Sequence, residues 1–389
     1  MRIGSDRFPM TPSGEFHLGG YRHPGRLDPA RGIHDEIFGG SLLFEQDGDH
    51  VFLVSLDVVE IEETMADEVK QLLAERFGID PDLVLVSATH DHSSLAEYHR
   101  QWWTGAFDQE YYDVLLAAIV DSYAACLAGL REATARYGRE TVLGFYGNRN
   151  HPGEPADNEV IVVEFLDESG EPFAGIVNWA VHSTVLPAGN DLLTADLAGA
   201  VRAKLHDTFG YHPLMLNGAG GDSSNRHQRE GQDFAELERV AAGLAVRIAA
   251  IETTRTLVLG PIAHRAFVHT VTNEDFHLDA RGWVVDLGEL RLFVFPGELG
   301  SRFGPELRAT HPELALVSGY TNGYYAYWMP AEEYGLSFET TTSRVPMGQP
   351  ERLVQQFIDA ASELDAQRPP NQTCTRHPST GAARRSETQ

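Results

Sequence analysis

Two cysteines in 389 residues are too few for a disulfide framework. Cys126 falls in a helical pattern and Cys374 in the terminal stretch, so neither a disulfide nor an oxidising compartment is expected. Cations are also scarce: 30 Lys and Arg stand against 57 Asp and Glu, a formal net charge of −27. That argues against nucleic acid and anionic membrane as main partners. The opening Met1-Arg2-Ile3-Gly4 lacks the apolar core of a signal peptide, and no run approaches the length of a membrane span. A soluble, cytoplasmic chain is expected. The 42% of hydrophobic residues support a sizeable core.

No internal repeat, low-complexity linker or composition break divides residues 1–365, which read as one domain. From Ala366 on, Pro, Arg, Ser and Thr predominate, so 366–389 read as a disordered tail. Residues 1–36 carry little periodicity. Two apolar segments, 41–45 and 51–57, flank Asp47-Gly48 and read as a hairpin. Asp57 closes the second segment, where a strand-end cap and a supporting acid are both open readings. Met65, Val69, Leu72, Leu73 and Phe77 keep helical spacing up to Gly78, and Tyr111, Leu115, Ile119, Tyr123 and Leu127 form a second helical stripe. Further helices are expected over 195–209, 234–251, 299–309 and 350–364. Strands are expected over 159–165, 175–181, 213–217, 290–295 and 314–318, with more within 256–295. The alternation argues an α/β fold: a mixed β-sheet flanked by helices.

Strand ends carry the chemistry. The run Val84–Ala88 breaks at Thr89 into His90-Asp91-His92. Histidines at i and i+2 on a strand share a face, which is one way to begin a metal site. Such a pair is also an ordinary polar strand end. The larger pattern favours a site: His182, Ser224, Glu298 and the Tyr324/Tyr327 pair each lie just past an apolar strand. In open α/β sheets, ligands bind at the C-terminal strand edge. Two His and one Glu are a usual zinc set with one position left open.

Other constellations fit the sequence less well. A metallo-β-lactamase requires His-x-His-x-Asp-His, and Ser93-Ser94-Leu95 stand there instead. A His-x-His amidohydrolase barrel places its pair on the first strand. The stretch Gly218–Asn225 lacks the Lys of a Walker loop and is not Gly-x-Ser-x-Gly.

The order of short motifs from Gly4 to about Leu364 resembles the catalytic domain of the neutral (non-lysosomal) ceramidase family. The matching elements begin with Thr11-Pro12, Gly20-Tyr21, Gly32-Ile33-His34-Asp35 and Val54-Ser55-Leu56-Asp57. Ser87 through Ser93, Asn148-Arg149 and Val181-His182-Ser183-Thr184 follow. Then come Gly221-Asp222-Ser223-Ser224, Pro296-Gly297-Glu298, Asn322-x-Tyr324-x-x-Tyr327 and Glu332-Glu333-Tyr334. The resemblance implies Zn2+ held by His90, His182, Glu298 and a tyrosine, taken as Tyr327. It places the family's serine at Ser224, and His92 and Arg149 against the reacting amide. Tyr324 is then a candidate for oxyanion contact or proton transfer. Ser224 is either a covalent nucleophile or a partner of the attacking water.

This chain departs from the family pattern. Asn150-His151-Pro152 follows the arginine, and Asn225 replaces the proline after the serine. The family's C-terminal immunoglobulin-like domain is not expected in this chain. The expectation is therefore a zinc-dependent hydrolase of a linear amide in a soluble or short-chain N-acyl small molecule. A zinc esterase or lactonase is the second reading, and a non-catalytic metal-binding protein the third.

Overall fold

The computed structural model describes residues 1–273 and 276–367. Within them, α-helices and strands alternate as the patterning predicts, but the expected sheet is three larger sheets, with three two-stranded pairs beside them. The first runs Val84–Ala88, Asp49–Leu56, Phe38–Gln46, Arg2–Pro9, Arg131–Glu132 in spatial order. The second runs Leu214–Asn217, Pro172–Trp179, Glu159–Leu166, Thr134–Thr141, Arg255–Leu257. The third runs Ile262–Asn273, Phe276–Leu287, Leu290–Val294, Leu314–Ser318. One apolar core draws on all three, from Ile3 and Phe44 through Ile161 and Phe165 to Trp283 and Leu316. Helices cover the outer faces: Gln109–Ala128 packs on the first sheet, Asp196–Phe209 and Phe234–Ala249 pack together on the second, and Gln349–Gln367 lies on the third.

Local chemistry sets the expected boundaries. Asp47 (φ 55°) and Gly48 (φ 94°) make the two-residue hairpin turn, and Gly78 (φ 75°) ends the helix Glu63–Phe77. Gln109–Ala128 is, on length and composition, apolar enough to span a membrane, contrary to the reading of the sequence. Its stripe of Tyr112, Leu115, Ile119 and Tyr123 is instead buried in the core. Cys126 lies unpaired on the same helix. The last helix runs to Gln367, three residues past its expected end and two into the stretch read as a tail, and Cys374 lies outside the described residues.

Each sheet ends in a short edge strand parallel to its neighbour: Val84–Ala88, Leu214–Asn217 and Leu314–Ser318. Edge strands leave main-chain groups without ladder partners. Here side chains supply them, several reaching across from another sheet. Asn178 Nδ2 donates to the carbonyls of Leu216 and Val317, both at 2.9 Å. Asn322 accepts from Val86 N at 2.8 Å and donates to Val84 O at 3.1 Å. Ser55 Oγ donates to Met215 O at 2.7 Å. The three edges are thus stitched together, and the loops 89–93, 218–225 and 319–327 leave them toward one place. A parallel pair shares its C-terminal end, so the segments after the partner strands arrive there too, carrying Asp57, His182 and Glu298.

Asp57 is more than a strand-end cap, and it accepts from Thr89 Oγ1, next to His90, at 3.4 Å. It is fully buried and takes both Arg202 amino groups, at 2.9 and 2.6 Å, and the Phe38 amide at 2.9 Å. Breaking one side of such a pair strands a buried charge. Asp57→Ala is expected to lower unfolding free energy by about 3–5 kcal/mol in a denaturant titration. A loss below roughly 1 kcal/mol, the range of an exposed pair, would mean that water reaches Arg202.

Candidate metal centre

The strand carrying the first histidine stops at Ala88. Thr89 and Asp91 donate their amides to Leu56 O and Val58 O, and between them His90 adopts φ 61°. That left-handed conformation is costly for a side chain with a Cβ, and strain of this kind clusters at functional sites. The two histidines therefore do not share a strand face as the spacing predicts. The kink turns the His90 ring perpendicular to that of His92, at 89° and 4.6 Å between centroids. Gly20 (φ 87°) makes this packing possible, since a Cβ there would lie 2.3 Å from His92 Cα.

The main chain fixes two of the three imidazoles. His90 Nδ1 donates to Val59 O at 2.7 Å. His182 Nδ1 faces the carbonyls of Gly220 and Ser223, both at 3.0 Å. A carbonyl only accepts, so each ring carries its proton on Nδ1 and presents a lone pair at Nε2. Both lone pairs aim at one oxygen of the fully buried Glu298. Its Oε2 is 3.1 Å from His182 Nε2 and 3.7 Å from His90 Nε2.

Burial pushes both imidazoles well below the usual histidine range, partly opposed at His90 by Glu298 and reinforced at His182 by Arg149. Burial raises Glu298, and His90 and Arg149 draw it back. His182 Nε2 has no hydrogen-bond partner. Two nitrogen acceptors thus converge on a carboxylate oxygen inside the protein. A cation satisfies all three at once, and this donor set suits zinc. The residues present fit the group.

His92 belongs to the same cluster. Its Nε2 is 3.1 Å from His90 Nε2, and ring nitrogens of His90, His92 and His182 all lie within 4.8 Å of one another. It differs from the other two in that its Nδ1 has no hydrogen-bond partner. Tyr21 packs on its ring at 4.8 Å. One further group of this kind among the described residues, Asp80, Asp82 and His264, lies partly exposed at the surface. There Asp80 caps the Asp82 amide at 3.0 Å and Asp82 takes the Trp283 indole N–H at 2.9 Å, which accounts for both carboxylates.

The loop after Leu314–Ser318 brings in three tyrosines. Tyr320, Asn322 and Ala326 hold φ of 54°, 63° and 54°, so the chain coils tightly enough to fan their rings inward. Tyr324 OH donates to Glu298 Oε1. Tyr320 OH donates to Oε2 at 3.3 Å and its ring stacks on His90 at 4.2 Å. Burial, with Glu298 next, pushes both phenols well above the usual tyrosine range. Tyr327 pairs in register with Glu298 on adjacent strand segments, and its ring lies 5.6 Å from the Arg149 guanidinium. Sequence reasoning passed over Tyr320, although it lies in the same strand-end run.

The serine loop shares this frame. Gly220 and Ser223 lend His182 their carbonyls, and Gly221 O accepts from Arg149 at 2.8 Å. Asp222 stiffens the turn by accepting from Ser301 N at 2.7 Å and Asn148 at 3.0 Å. Ser223 and Ser224 pair with Asn148 and Gly147, so their side chains leave on opposite faces. Ser223 Oγ is buried without a partner. Ser224 Oγ accepts the Arg226 amide at 3.2 Å and keeps its own proton to donate. Arg149 also meets Glu339, at 2.5 Å. Burial opposes the Arg149 charge, but Tyr327 and Glu339 outweigh it, and the guanidinium stays firmly protonated.

Comparison with known proteins shows what the chain is similar to. The family profile described as neutral/alkaline non-lysosomal ceramidase, N-terminal, matches residues 2–211. Neutral ceramidase A of Dictyostelium discoideum is 27% identical over 51% of this chain and 30% of its own length. Neutral ceramidase 2 of Arabidopsis thaliana is 26% identical over 53% of this chain and, again, 30% of its own length. The matched region is thus under a third of those relatives. Among solved structures, a ceramidase complexed with C2 superposes with a TM-score of 0.82 at 17% identity, covering 95% of this chain and 76% of that one. The neutral ceramidase from Pseudomonas aeruginosa gives 0.81 at 18% identity, with 95% and 75% covered. At those identities, the structural matches speak to the fold.

Proposed function

The chain belongs to the neutral/alkaline non-lysosomal ceramidase family, and on that basis we propose that it is a zinc-dependent hydrolase of a linear amide. The substrate in this reading is a soluble or short-chain N-acyl compound. His90, His182, Glu298 and Tyr327 hold the metal. Ser224, His92, Arg149 and Tyr324 face the reacting amide. The observation that carries the reading is the aim of two carbonyl-locked imidazoles at one oxygen of buried Glu298. Bound zinc would supply Lewis acidity to the scissile carbonyl.

The chain's own groups do the rest. Val59, Gly220 and Ser223 hold the histidine tautomers through their carbonyls. Tyr320 and Tyr324 donate to Glu298 and so orient it. Ser224 has a hydroxyl proton free to give toward the site, whether it attacks the amide or orders water. Arg149, beside His182 and Tyr327, favours negative charge as it develops on the carbonyl oxygen. Stabilising that charge is usually what lowers the barrier to acyl transfer most. The net charge of −27 works against an anionic bilayer surface and supports the smaller substrate.

A panel of N-acyl amines of graded chain length, run with and without a chelator, tests this. Chelator-sensitive release of amine, fastest on short chains, is the expected result. Fastest turnover on long-chain ceramide would overturn the substrate half. Cleavage of esters with no amide cleavage would move the protein to the esterase reading. Hydrolysis that survives complete metal removal would sink the mechanism.

A further inference from the structure

An arginine buried beside a reaction site is an ordinary anchor for a substrate carboxylate, which it grips with two parallel N–H groups. Arg149 has the place for this role but not the freedom. Its Nε donates to Glu339 Oε1 at 2.5 Å, and one terminal nitrogen donates to Gly221 O at 2.8 Å. Glu339 is 1% exposed, and its other oxygen accepts from Asn150 at 2.8 Å. This internal carboxylate and the Gly221 carbonyl together take the Nε–Nη2 edge of the guanidinium.

The segment that carries Glu339 is fastened beside the site. Glu333 pairs with His151 at 2.7 Å, and Ser343 Oγ donates to Tyr327 O at 2.8 Å. The Tyr327 and Phe338 rings meet edge to face at 6.3 Å. Of the other cations whose fields reach the site histidines, the buried one is committed. Arg26 donates to three carbonyls, those of Gly19, His92 and Ala188. Arg226 lies at the surface.

We propose that Glu339 sets the charge selectivity of the site: by holding the Nε side of Arg149 and setting a carboxylate where a second one would have to dock, it makes the site refuse substrates that carry a carboxylate next to the scissile amide. The inference rests on the amide-hydrolase reading and narrows it. N-acyl amino acids are excluded, and N-acyl amines with neutral or cationic neighbours are accepted. Glu339 acts through Arg149 and is therefore a positioning residue. Like charges placed against one another in a desolvated contact strongly suppress binding, so the expected discrimination is about 10²-fold.

The test compares an N-acylethanolamine with the N-acylglycine of the same short acyl chain, on the zinc-supplemented full chain. The kcat/KM ratio of the pair is measured for the wild type, Glu339→Gln and Glu339→Asp. Calorimetric binding of the same pair is measured in a Ser224→Ala background, with and without Glu339→Gln. Wild type should favour the ethanolamide by about 10²-fold. Glu339→Gln should shift the ratio at least roughly tenfold toward the glycine conjugate, and Glu339→Asp should keep the wild-type preference.

A wild type that cleaves or binds the glycine conjugate as well as its partner overturns the proposal, whether or not the variants fold. Cleavage of both compounds with an unchanged ratio in Glu339→Gln removes the charge filter and leaves the amide reading standing. Discrimination in binding that shifts with Glu339→Gln, without cleavage of either compound, supports the filter and overturns the amide reading. Absence of binding and cleavage overturns both.

Discussion

Replacing His182 with alanine is expected to strip the metal and to lower turnover by at least roughly 10²-fold, the scale reached when even an outer partner of a metal ligand is lost. The cause is geometric. His182 Nε2 and His90 Nε2 close on one oxygen of Glu298, and removing the nearer nitrogen leaves an incomplete donor set. Metal content of purified protein, measured against wild type, is the direct readout. Thermal stability is the second. A ligand that binds only the folded state raises stability by mass action. Chelator should therefore lower the melting temperature of wild type and leave His182→Ala unmoved. His92→Ala separates two ligand sets. With Tyr327 as a ligand, that variant keeps its metal and loses turnover. If it loses the metal instead, His92 replaces Tyr327 in the set. Full metal retention by His182→Ala would reject the centre.

The convergence of the site was legible because it rests on strand ends. A β-branched run that stops at a histidine, a Gly-Asp-Ser-Ser turn or Pro-Gly-Glu marks a place where a strand delivers a functional group. Parallel pairing then brings such ends to one side. Which strands pair is a long-range matter that periodicity does not carry. The alternation of strands and helices reads the same for one mixed sheet and for three. What joins the three is a set of side-chain bonds from Asn178, Asn322 and Ser55 to edge strands far away in the sequence. A lone Asn or Ser inside an apolar run carries no sign of its partner.

The same limit explains the details that differ. The spacing of His90 and His92 implies an extended backbone, and only the bonds of Thr89 and Asp91 to the neighbouring strand impose φ 61° between them. Asp57 reads as a cap because its partner, Arg202, lies on a helix 145 residues on. Glu339 sits in a short polar stretch that nothing local distinguishes. It acquires meaning only where Arg149 meets it, 190 residues away in sequence. Candidate donors are local chemistry and readable, whereas the groups that hold them in place are tertiary and are not.

Ser224→Ala is expected to lower turnover by about 10²–10⁴-fold, the range for one positioned acid–base or hydrogen-bonding group, with metal content and melting temperature unchanged. Ser223→Ala should do far less. The two serines are adjacent, and the pairing of this segment with Gly147 and Asn148 sends their hydroxyls to opposite sides. Ser223 Oγ lies in the interior without a partner, so deleting it removes no hydrogen bond and leaves no orphaned group behind. The Ser223 carbonyl that orients His182 belongs to the main chain and survives both substitutions. Any loss in Ser224→Ala therefore reports the hydroxyl itself, not a disturbed imidazole. Rate assays on both variants, with metal analysis of the same preparations, decide the matter. Equal activity in the two would reduce the loop to a turn that holds His182 and Arg149. Loss confined to Ser223→Ala would shift the functional register by one residue and leave the rest of the site in place.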